Sequence, residues 1–349
     1  MKRFTKGCLG TALVLFILGC LICTVCGVLG GFRQITAGVL NNINGIPFVC
    51  DWQEDGGFSL GFFENDWVED AFWERGDWQR IDTGGTKQKL AVTGAGLRQL
   101  CLEVTDCNFK IEESSDDNIW IAVNDNRCRT YYQIEKDDAG KDMLSVRNSK
   151  KHKAINWRYK PDDNISLYLP QGCDLDEITI MMGAGYMSTI PLKADVMEIN
   201  VGAGVCEAKA FEAETMEVLV GAGQIEIAEL KAGEADMEVG VGELIVQDIE
   251  VRNSTEMSLD VGSAEITGTL TGQVEAECNL GSLELHLTGS QEDYGFAVEC
   301  ELGDIEIGDH HYSGFGDSRS WNSERKNQMK LCCDLGNIKV TFQKGEDNE

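Results

Sequence analysis

The sequence is poor in proline, in histidine and in positive charge. Its 349 residues include 4 Pro, 4 His and 30 Lys and Arg against 59 Asp and Glu. The formal net charge of −29 excludes functions that depend on attraction to nucleic-acid phosphates, and it opposes binding to anionic lipid surfaces. Any charged partner is therefore expected to be cationic. The scarcity of proline beside 39 Gly favours stacked coils that turn at glycine alone, because loop-rich all-β proteins use both residues.

Several signatures of bound groups and of catalysis are also missing. Outside the apolar N-terminus, no CxxC pair has a second pair at zinc spacing, and no GK[S/T] sequence follows the glycine triplets. The aspartate-bearing nonapeptide that binds calcium in other β-rolls is absent. The histidines show no nucleophile–base pattern, so the sequence predicts no catalytic residue, metal or cofactor. His310 and His311 beside Asp309 lie in a long insertion, where a surface loop is favoured over a metal site and is the best single place for a ligand contact.

An uncharged N-terminal run predicts a membrane span. Residues 7–32 carry no charge, and as a helix rising about 1.5 Å per residue they exceed the roughly 30 Å hydrocarbon core. Three basic residues precede the run, which places residues 1–6 in the cytoplasm and the rest of the chain outside the cell. We therefore expect a single-pass protein of the cell membrane with an extracytoplasmic C-terminal domain. A cleaved signal peptide and a chain lipidated at Cys20 stay open as alternatives.

Residues 33–88 follow as an acidic, aromatic juxtamembrane linker. Aromatic residues are mixed with carboxylates from 51 to 80, and no strand or helix period persists there. Two interpretations remain. The segment is either an interfacial or partner-binding element, or a spacer that packs its aromatic side chains on the next domain. We favour the spacer, because so many carboxylates oppose insertion into a membrane interface.

The most informative pattern is a glycine that recurs at near-constant spacing. Eight segments, from MMGAGYMST to CDLGNIKVT, superpose on one marker glycine with spacings of 19, 19, 19, 20, 19, 22 and 33 residues. A period of about this length is typical of solenoids and repeat arrays. The marker glycines are Gly185, Gly204, Gly223, Gly242, Gly262, Gly281, Gly303 and Gly336.

Each repeat has the pattern of two short strands joined by a bend at the marker glycine. The positions 7, 5, 3 and 1 before the glycine are predominantly apolar, and after it the apolar positions are 2 and 4 beyond. In the third repeat the first set is Met216, Val218, Val220 and Ala222. Alternation with period two predicts strands with one buried face, and the change of parity predicts a corner. Glycine, Asp or Asn usually stands two positions before the marker, which supports the corner.

A unit this short cannot bury its apolar face alone, so neighbouring units must stack about 4.8 Å apart in register. The sequence therefore predicts an all-β fold, a single-chain β-solenoid of ~19-residue repeats with glycine corners, preceded by the transmembrane helix. Cysteines on the inward positions are interpreted as small core hydrophobes, and disulfides between adjacent coils stay open. One inward ladder is predicted to contain Val201, Val220, Val239, Leu259, Cys278 and Cys300.

The remaining boundaries follow from the regularity of the pattern. Residues 89–177 are predicted to form a less regular entrance to the solenoid, in which Cys107 stands where a marker glycine would be. Residues 178–341 form the regular repeats, interrupted by an insertion at 308–328, and 342–349 form an acidic tail.

Two acidic rows are predicted outside the core. Stacked like charges cost stability unless they are solvated or neutralised, so each row is either a solvated face that discourages aggregation or a binding strip for divalent cations or cationic peptides. Six positions before the marker lie Glu198, Glu217, Asp236, Glu256 and Glu275. Three positions after it, interrupted by Ile245, lie Glu207, Glu226, Glu265, Glu284 and Glu306, which are the candidate polycation-binding ladder.

With an LYLP strand at 167–170 leading into GAG-type strands, and with its N-terminal anchor, the chain resembles the bacterial putative-adhesin family of unknown function, the toastrack-like β-strand repeat proteins. The resemblance covers about residues 89–341. It implies a β-solenoid, often in Gram-positive bacteria and sometimes linked to cell-envelope stress responses, and it carries over no catalytic residue. The later repeats depart from the GAG form, which keeps the corner but leaves the family boundary open.

Three functions of different classes are compatible with these features. We favour a non-enzymatic, membrane-anchored extracytoplasmic scaffold or adhesion module of a bacterial cell envelope, with a protein or cationic-peptide partner and no nucleic acid. The alternative is an envelope-stress sensor or regulator that binds cationic ligands, which would need a partner protein because residues 1–6 are too few to signal. A carbohydrate-active β-helix enzyme is disfavoured, because the outward carboxylates repeat once per coil and do not cluster.

Overall fold

The structure is a computed structural model, and it describes residues 48–52, 58–62, 78–82, 84–105, 107–124, 128–136, 140–150, 164–313 and 316–343. The predicted transmembrane helix at 7–32 lies outside these residues. Within the described part, no helix has the length and apolar character that a membrane span requires. The chain divides into two compact units, Met1–Arg75 and Gly76–Glu349.

In the first unit the described residues form one antiparallel pair of strands. Strand β1 (Phe48–Trp52) pairs with β2 (Phe58–Phe62), so that Trp52 lies opposite Phe58. The hairpin falls in the segment predicted as a linker. A five-residue strand gives too few alternations to be recognised by its period.

In the second unit, successive coils stack through parallel strand pairs. Each coil has a long side, which ends three residues before the marker glycine, and a short side, which follows that glycine. The first strands of the regular array are β11 (Leu175–Met182), β12 (Gly185–Thr189), β13 (Leu192–Val201), β14 (Val205–Ala208), β15 (Phe211–Val220), β16 (Gln224–Ile227) and β17 (Leu230–Val239). The array continues through β18 (Glu243–Leu259), β19 (Ser263–Leu270), β20 (Gln273–Cys278) and β21 (Ser282–Thr288).

The predicted inward ladder is confirmed along the regular array. On the long side Val201 lies opposite Val220, and Val220 lies opposite Val239. The ladder continues through Leu259 to Cys278. All five side chains are at most 1% exposed, so equivalent residues of successive repeats form one continuous core.

The long strands contain a further bend that the sequence pattern did not predict. In β13, buried and less buried residues alternate except at Asp195 and Val196, which are both exposed. The change of parity keeps Leu192 and Ala194 inward on one side of the bend and Met197 inward on the other. The same pair of exposed residues recurs in β15. These coils therefore have a third side, which is formed by the residues that precede the bend in each long strand.

The marker glycine is required by the close approach of neighbouring coils. A Cβ on Gly223 would lie 2.3 Å from the carbonyl oxygen of Gly204 in the adjacent coil, and a Cβ on Gly242 would lie 2.3 Å from that of Gly223. Real Cβ atoms do not approach backbone oxygens this closely. The predicted glycine corner therefore has a steric origin in the stacking itself.

The residue immediately before the marker glycine faces solvent, contrary to the prediction of an inward position. Ala203 and Ala222 are exposed, and Leu280 is 52% exposed. The strand ends three residues before the marker, at Val220 in the third repeat, and the next residues form the bend. Strand alternation therefore cannot be extended through the corner.

The N-terminal section begins before residue 89. Strand β3 (Gln79–Arg80) pairs with a later strand, and Ile81 is 1% exposed. Cys107 lies opposite Gly185, which confirms that it occupies a marker position. The strands of this section are β4 (Gln88–Thr93), β5 (Leu97–Val104), β6 (Cys107–Glu113), β7 (Asn118–Asn124), β8 (Cys128–Lys136), β9 (Asp142–Lys150) and β10 (Asn164–Leu169).

The C-terminal section departs from the predicted order. Cys300 lies on the inward ladder as predicted, but it is not the next neighbour of Cys278, because Cys278 lies opposite Cys333 and Cys333 lies opposite Cys300. The last coil of the chain inserts between the two coils that precede it in sequence. After the 3₁₀ turn Gln291–Asp293, the strands are β22 (Tyr294–Cys300), β23 (Asp304–Ile307), β24 (His310–Ser313), β25 (Asp317–Trp321), β26 (Asn327–Cys333) and β27 (Asn337–Gln343).

The insertion at 308–328 supplies β24 and β25, where a surface loop was expected. These strands pair antiparallel with β23 and β22, which are the outermost parallel strands at this end. Trp321 stacks on Phe296 with ring centroids 4.9 Å apart, and Tyr312 stacks on Trp321 at 5.6 Å. The antiparallel strands cover edges that would otherwise be open to another chain.

Both ends of the stack use the same exchange of order. On the long side, the order outward from the array is β11, β5, β9, β8 at one end and β20, β26, β22, β25 at the other. At each end, the coil that stacks directly on the regular array is therefore not the coil that adjoins the array in sequence. That coil is held by hydrogen bonds on both sides, under a second coil and an antiparallel cap.

Candidate functional site

The long-side acidic row is continuous over five coils. We use this name for Glu198, Glu217, Asp236, Glu256 and Glu275. Each of these residues is the register partner of the next. The row ends at Lys330, which lies opposite Glu275 and forms an ion pair with it.

The rest of the long side adds no positive charge to this row. The outward positions beside it in the same five coils carry no lysine or arginine, and Glu238 and Glu277 add further carboxylates. Three cations of these coils lie on the third side instead, where Lys193, Lys231 and Arg252 each form an ion pair with a glutamate. Charge is therefore segregated between the sides of the stack.

Partial burial and mutual repulsion disfavour ionisation of three carboxyl groups in the long-side acidic row, those of Glu198, Glu217 and Asp236. Burial raises the pKa of Glu198, and the carboxylates of Glu217 and Glu177 raise it further. The pKa of Glu217 is raised by burial and then by Asp236, and burial also raises the pKa of Asp236. The folded state consequently holds these carboxylates at a cost that a bound cation would offset.

The short-side acidic row, which contains the candidate ladder, is interrupted twice. We use this name for Glu207, Glu226, Glu265, Glu284 and Glu306. Ile245 separates the first two from the next two, as the sequence showed. Lys339 lies between Glu284 and Glu306, because the last coil inserts at that point. The five carboxylates are therefore not one uninterrupted strip.

Most residues of the short-side row have polar partners of their own. The Tyr186 hydroxyl donates a 2.6 Å hydrogen bond to Glu207, which raises the pKa of Tyr186 to about 12. Gln247 donates to Glu226 at 2.7 Å. The Nε2 atom of His286 lies 3.9 Å from Glu265 and 3.7 Å from Glu284.

The histidines of the insertion lie at the capped end. His311 is on β24, where its ring nitrogens lie 3.5 Å from Asp304 and 3.6 Å from Glu306. Across the residues that the structure describes, no group of three or more His, Cys, Asp or Glu side chains has the geometry of a metal site. Two positions before its marker glycine, Asp260 accepts a 3.1 Å hydrogen bond from the Asn279 side chain, in keeping with the turn residue expected there.

Lowering the pH from neutral toward 4 should stabilise the second unit through Glu198, Glu217 and Asp236. A carboxyl whose folded pKa is raised binds its proton at a higher pH in the folded state than in the unfolded state, so stability rises as pH falls through the folded pKa. The variant E198Q/E217Q/D236N should melt roughly 2–4 °C higher than the parent at pH 7.5 and lose part of this pH dependence. Thermal melts followed by circular dichroism would measure both. If the variant melts lower at pH 7.5, the carboxylates stabilise the fold and the argument is wrong.

The chain is similar to a known protein family and to several solved structures. The family model described as Toastrack DUF4097 matches residues 97–341. Three of the solved structures that are similar come from bacteria. A putative adhesin from Bacteroides fragilis is 14% identical, with 75% of this chain and 100% of that chain covered and a TM-score of 0.43. A putative lipid binding protein from Parabacteroides distasonis is 14% identical, with 75% and 100% covered and a TM-score of 0.34. A putative cell adhesion protein from Clostridium sporogenes is 11% identical, with 74% and 99% covered and a TM-score of 0.24. No curated protein matches the chain.

Proposed function

We propose that this chain, which belongs to the Toastrack DUF4097 family, is a non-enzymatic binding scaffold of a bacterial cell envelope. The observation that carries the proposal is the long-side acidic row, in which five carboxylates repeat once per coil without interruption. With strands about 4.8 Å apart, the row extends over roughly 19 Å. Repeated charge on a rigid stack suits an extended cationic partner, which it attracts through summed potential.

Membrane anchoring is the second part of the proposal. Its support is the uncharged run at 7–32 after three basic residues, which would hold the β-coils outside the cell as a single-pass protein. An envelope-stress sensor that binds cationic ligands is the second candidate, because the long-side row offers such a ligand a binding face.

The orientation predicts that the C-terminal part is accessible on intact cells or protoplasts. Protease added outside should remove an epitope placed after Glu349, while a cytoplasmic marker stays intact. A control protein with a known ectodomain should be cleaved in parallel. If the epitope survives under conditions that cleave the control, the proposed orientation is wrong.

The binding face predicts a salt-sensitive affinity for polycations that maps to the long side. Two variants neutralise four carboxylates each and so change the net charge equally: E198Q/E217Q/D236N/E256Q on the long side and E207Q/E226Q/E265Q/E284Q on the short side. We expect the long-side variant to bind an oligolysine roughly tenfold more weakly than the parent, and the short-side variant to lose less, because its row is interrupted. Affinity should fall steeply with added salt, since the potential is screened over about 8 Å at physiological ionic strength.

Calorimetric titration with the full chain in neutral-lipid nanodiscs would measure these affinities. Equal losses in the two variants would show that net charge alone attracts the peptide and that no face is preferred. Unchanged affinity in both would leave the two rows as solvated faces. Turnover of a polysaccharide by the chain would contradict the non-enzymatic part of the proposal.

A further inference from the structure

A row of exposed apolar side chains lies at the corner, one position before the marker glycine of each of five coils. The corner row, as we name it, consists of five side chains that are 39–56% exposed, in stacking order Val241, Val261, Leu280, Leu335 and Leu302. Among the residues that the structure describes, one other large apolar side chain is exposed, Val196. Exposed large apolar groups are therefore concentrated at one place on the stack, which is the pattern of an interaction surface.

The five residues are held in register by the backbone. The amide of Val261 donates to the carbonyl of Gly240, that of Leu280 to Asp260, and that of Leu302 to Asp334, at 2.7–2.8 Å. Each corner residue thus sits one coil above the previous one. Because these amides are already used within the stack, the corner row offers side chains, and no free strand edge, to a partner.

The corner row begins at a defined coil, and acidic residues flank it in the sequence. In the preceding coils the same position is alanine, at Ala203 and Ala222, so the apolar ridge begins at Val241. Asp260, Asp334 and Glu301 stand immediately before corner residues, and Glu243 and Asp304 stand two positions after them. In all eight repeats, the four positions from two before to one after the marker glycine include no lysine or arginine.

We propose that the corner row docks a basic amphipathic helix of a partner protein, with the helix lying along the stack. The apolar face of such a helix would cover the Val and Leu side chains, and its lysines or arginines would meet the carboxylates on both sides of the row. This docking site is separate from the long-side acidic row, which lies five positions earlier in each coil, so it goes beyond the proposed function.

The spacing of the row favours a helix over an extended segment. Neighbouring coils are about 4.8 Å apart, so five residues span roughly 19 Å. One face of a helix presents a side chain about every 5.4 Å, and about 13 residues cover the row. An extended strand presents same-face side chains about every 6.6 Å and loses register within three coils.

Charge opposes the two other occupants of such a row. A second copy of this chain carries the same net charge of −29 and the same carboxylates beside its corner row. An anionic membrane surface would be repelled in the same way. The carboxylates that oppose both of these occupants attract a basic helix.

The test uses the full chain in phosphatidylcholine nanodiscs and a fluorescent peptide of about 14 residues, with leucine on one helical face and lysine on the other. The docking variant is L280S/L302S/L335S, and the matched control is V196S, which removes the exposed apolar side chain outside the row. All four substitutions are at exposed positions, and thermal melts check that each variant stays folded. We expect the docking variant to bind the peptide about tenfold more weakly or worse, and V196S to bind like the parent.

A peptide of the same composition in an order that gives no apolar face should bind the parent more weakly, and a leucine and glutamate analogue should not bind. The inference is overturned if the docking variant keeps its affinity or if V196S loses as much. It is also overturned if sedimentation shows dimers of the parent that the docking variant lacks, since the occupant of the corner row would then be a second copy of the chain. Loss of binding to protein-free phosphatidylcholine vesicles in the docking variant would overturn it as well, since the occupant would then be a lipid surface.

Oligolysine binding by the docking variant separates the docking proposal from the proposed function. Retained oligolysine binding with lost helix binding supports docking at the corner row. Retained binding of both ligands contradicts docking there and leaves the proposed function of the long-side acidic row intact.

Discussion

Replacing Gly223 with alanine should destabilise the second unit by roughly 3 kcal/mol, because the new Cβ has nowhere to go. It would lie 2.3 Å from the carbonyl oxygen and 2.9 Å from the amide nitrogen of Gly204, both of which are backbone atoms of the neighbouring coil. Relieving that overlap means separating two coils or shifting the corner, which weakens the hydrogen bond from Gln224 to Gly204. For a unit of this size, the melting temperature should fall by roughly 6–12 °C.

Gly84→Ala is the matched control for this prediction. The same methyl group at Gly84 meets no atom within 4 Å, so the melting temperature should stay close to that of the parent. Thermal denaturation followed by circular dichroism would compare the two variants. If they melt together, the coils do not approach each other as closely at the corner as the structure places them.

The repeat itself could be predicted from the sequence because its cause is local. Val220 occupies a buried position in a strand whose apolar and polar residues alternate, and the same alternation returns in each repeat. The period of the repeat and its inward positions can therefore be recognised without a structure. Cys107 was recognised for the same reason, since the apolar residues on both sides of it follow the pattern. Family membership was accessible too, because the glycine corners and the LYLP strand carry it.

The order of the end coils could not be predicted, since it depends on which coils pair and not on how each one alternates. The repeats marked by Gly303 and Gly336 have the same local pattern as the others, and either could have stacked on the coil of Gly281. The observed order is accompanied by contacts of the insertion, such as Trp321 on Phe296, and these lie outside the repeat pattern.

The candidate site was predicted only in part for the same two reasons. Both acidic rows were visible as sequence positions, but Lys339 enters the short-side row through the exchange of coils, so its interruption there was hidden. Burial of Glu198, Glu217 and Asp236 depends on neighbouring coils, and it raises the pKa of these carboxyl groups in a way that no single repeat reveals. The corner row was assigned to the core, because an alternation was extended past the point where the strand ends.

Replacing Leu331 with aspartate should be more damaging than any surface change, because it places a carboxylate inside the inserted coil. Leu331 is fully buried on β26, opposite Ala276 of β20 on one side and Val298 of β22 on the other. An unpaired carboxylate at such a position costs on the order of 4 kcal/mol or more. Since β26 is the strand that joins β22 to the array, its loss should release the capped end as one body.

Hydrogen exchange measured residue by residue would show this result directly. In the L331D variant the amides of β22 and β23 should lose protection together with those of β26, although about 20 residues or more of chain separate β26 from these two strands. The amides of β13 and β15 should stay protected, because coils interact mainly with their neighbours. Ala297→Asp is the matched control, since it adds the same charge to β22 at an exposed position opposite Lys330 and should leave protection unchanged. If β22 stays protected while β26 exchanges, the inserted order of the coils is wrong, and with it the explanation of how the stack closes its end.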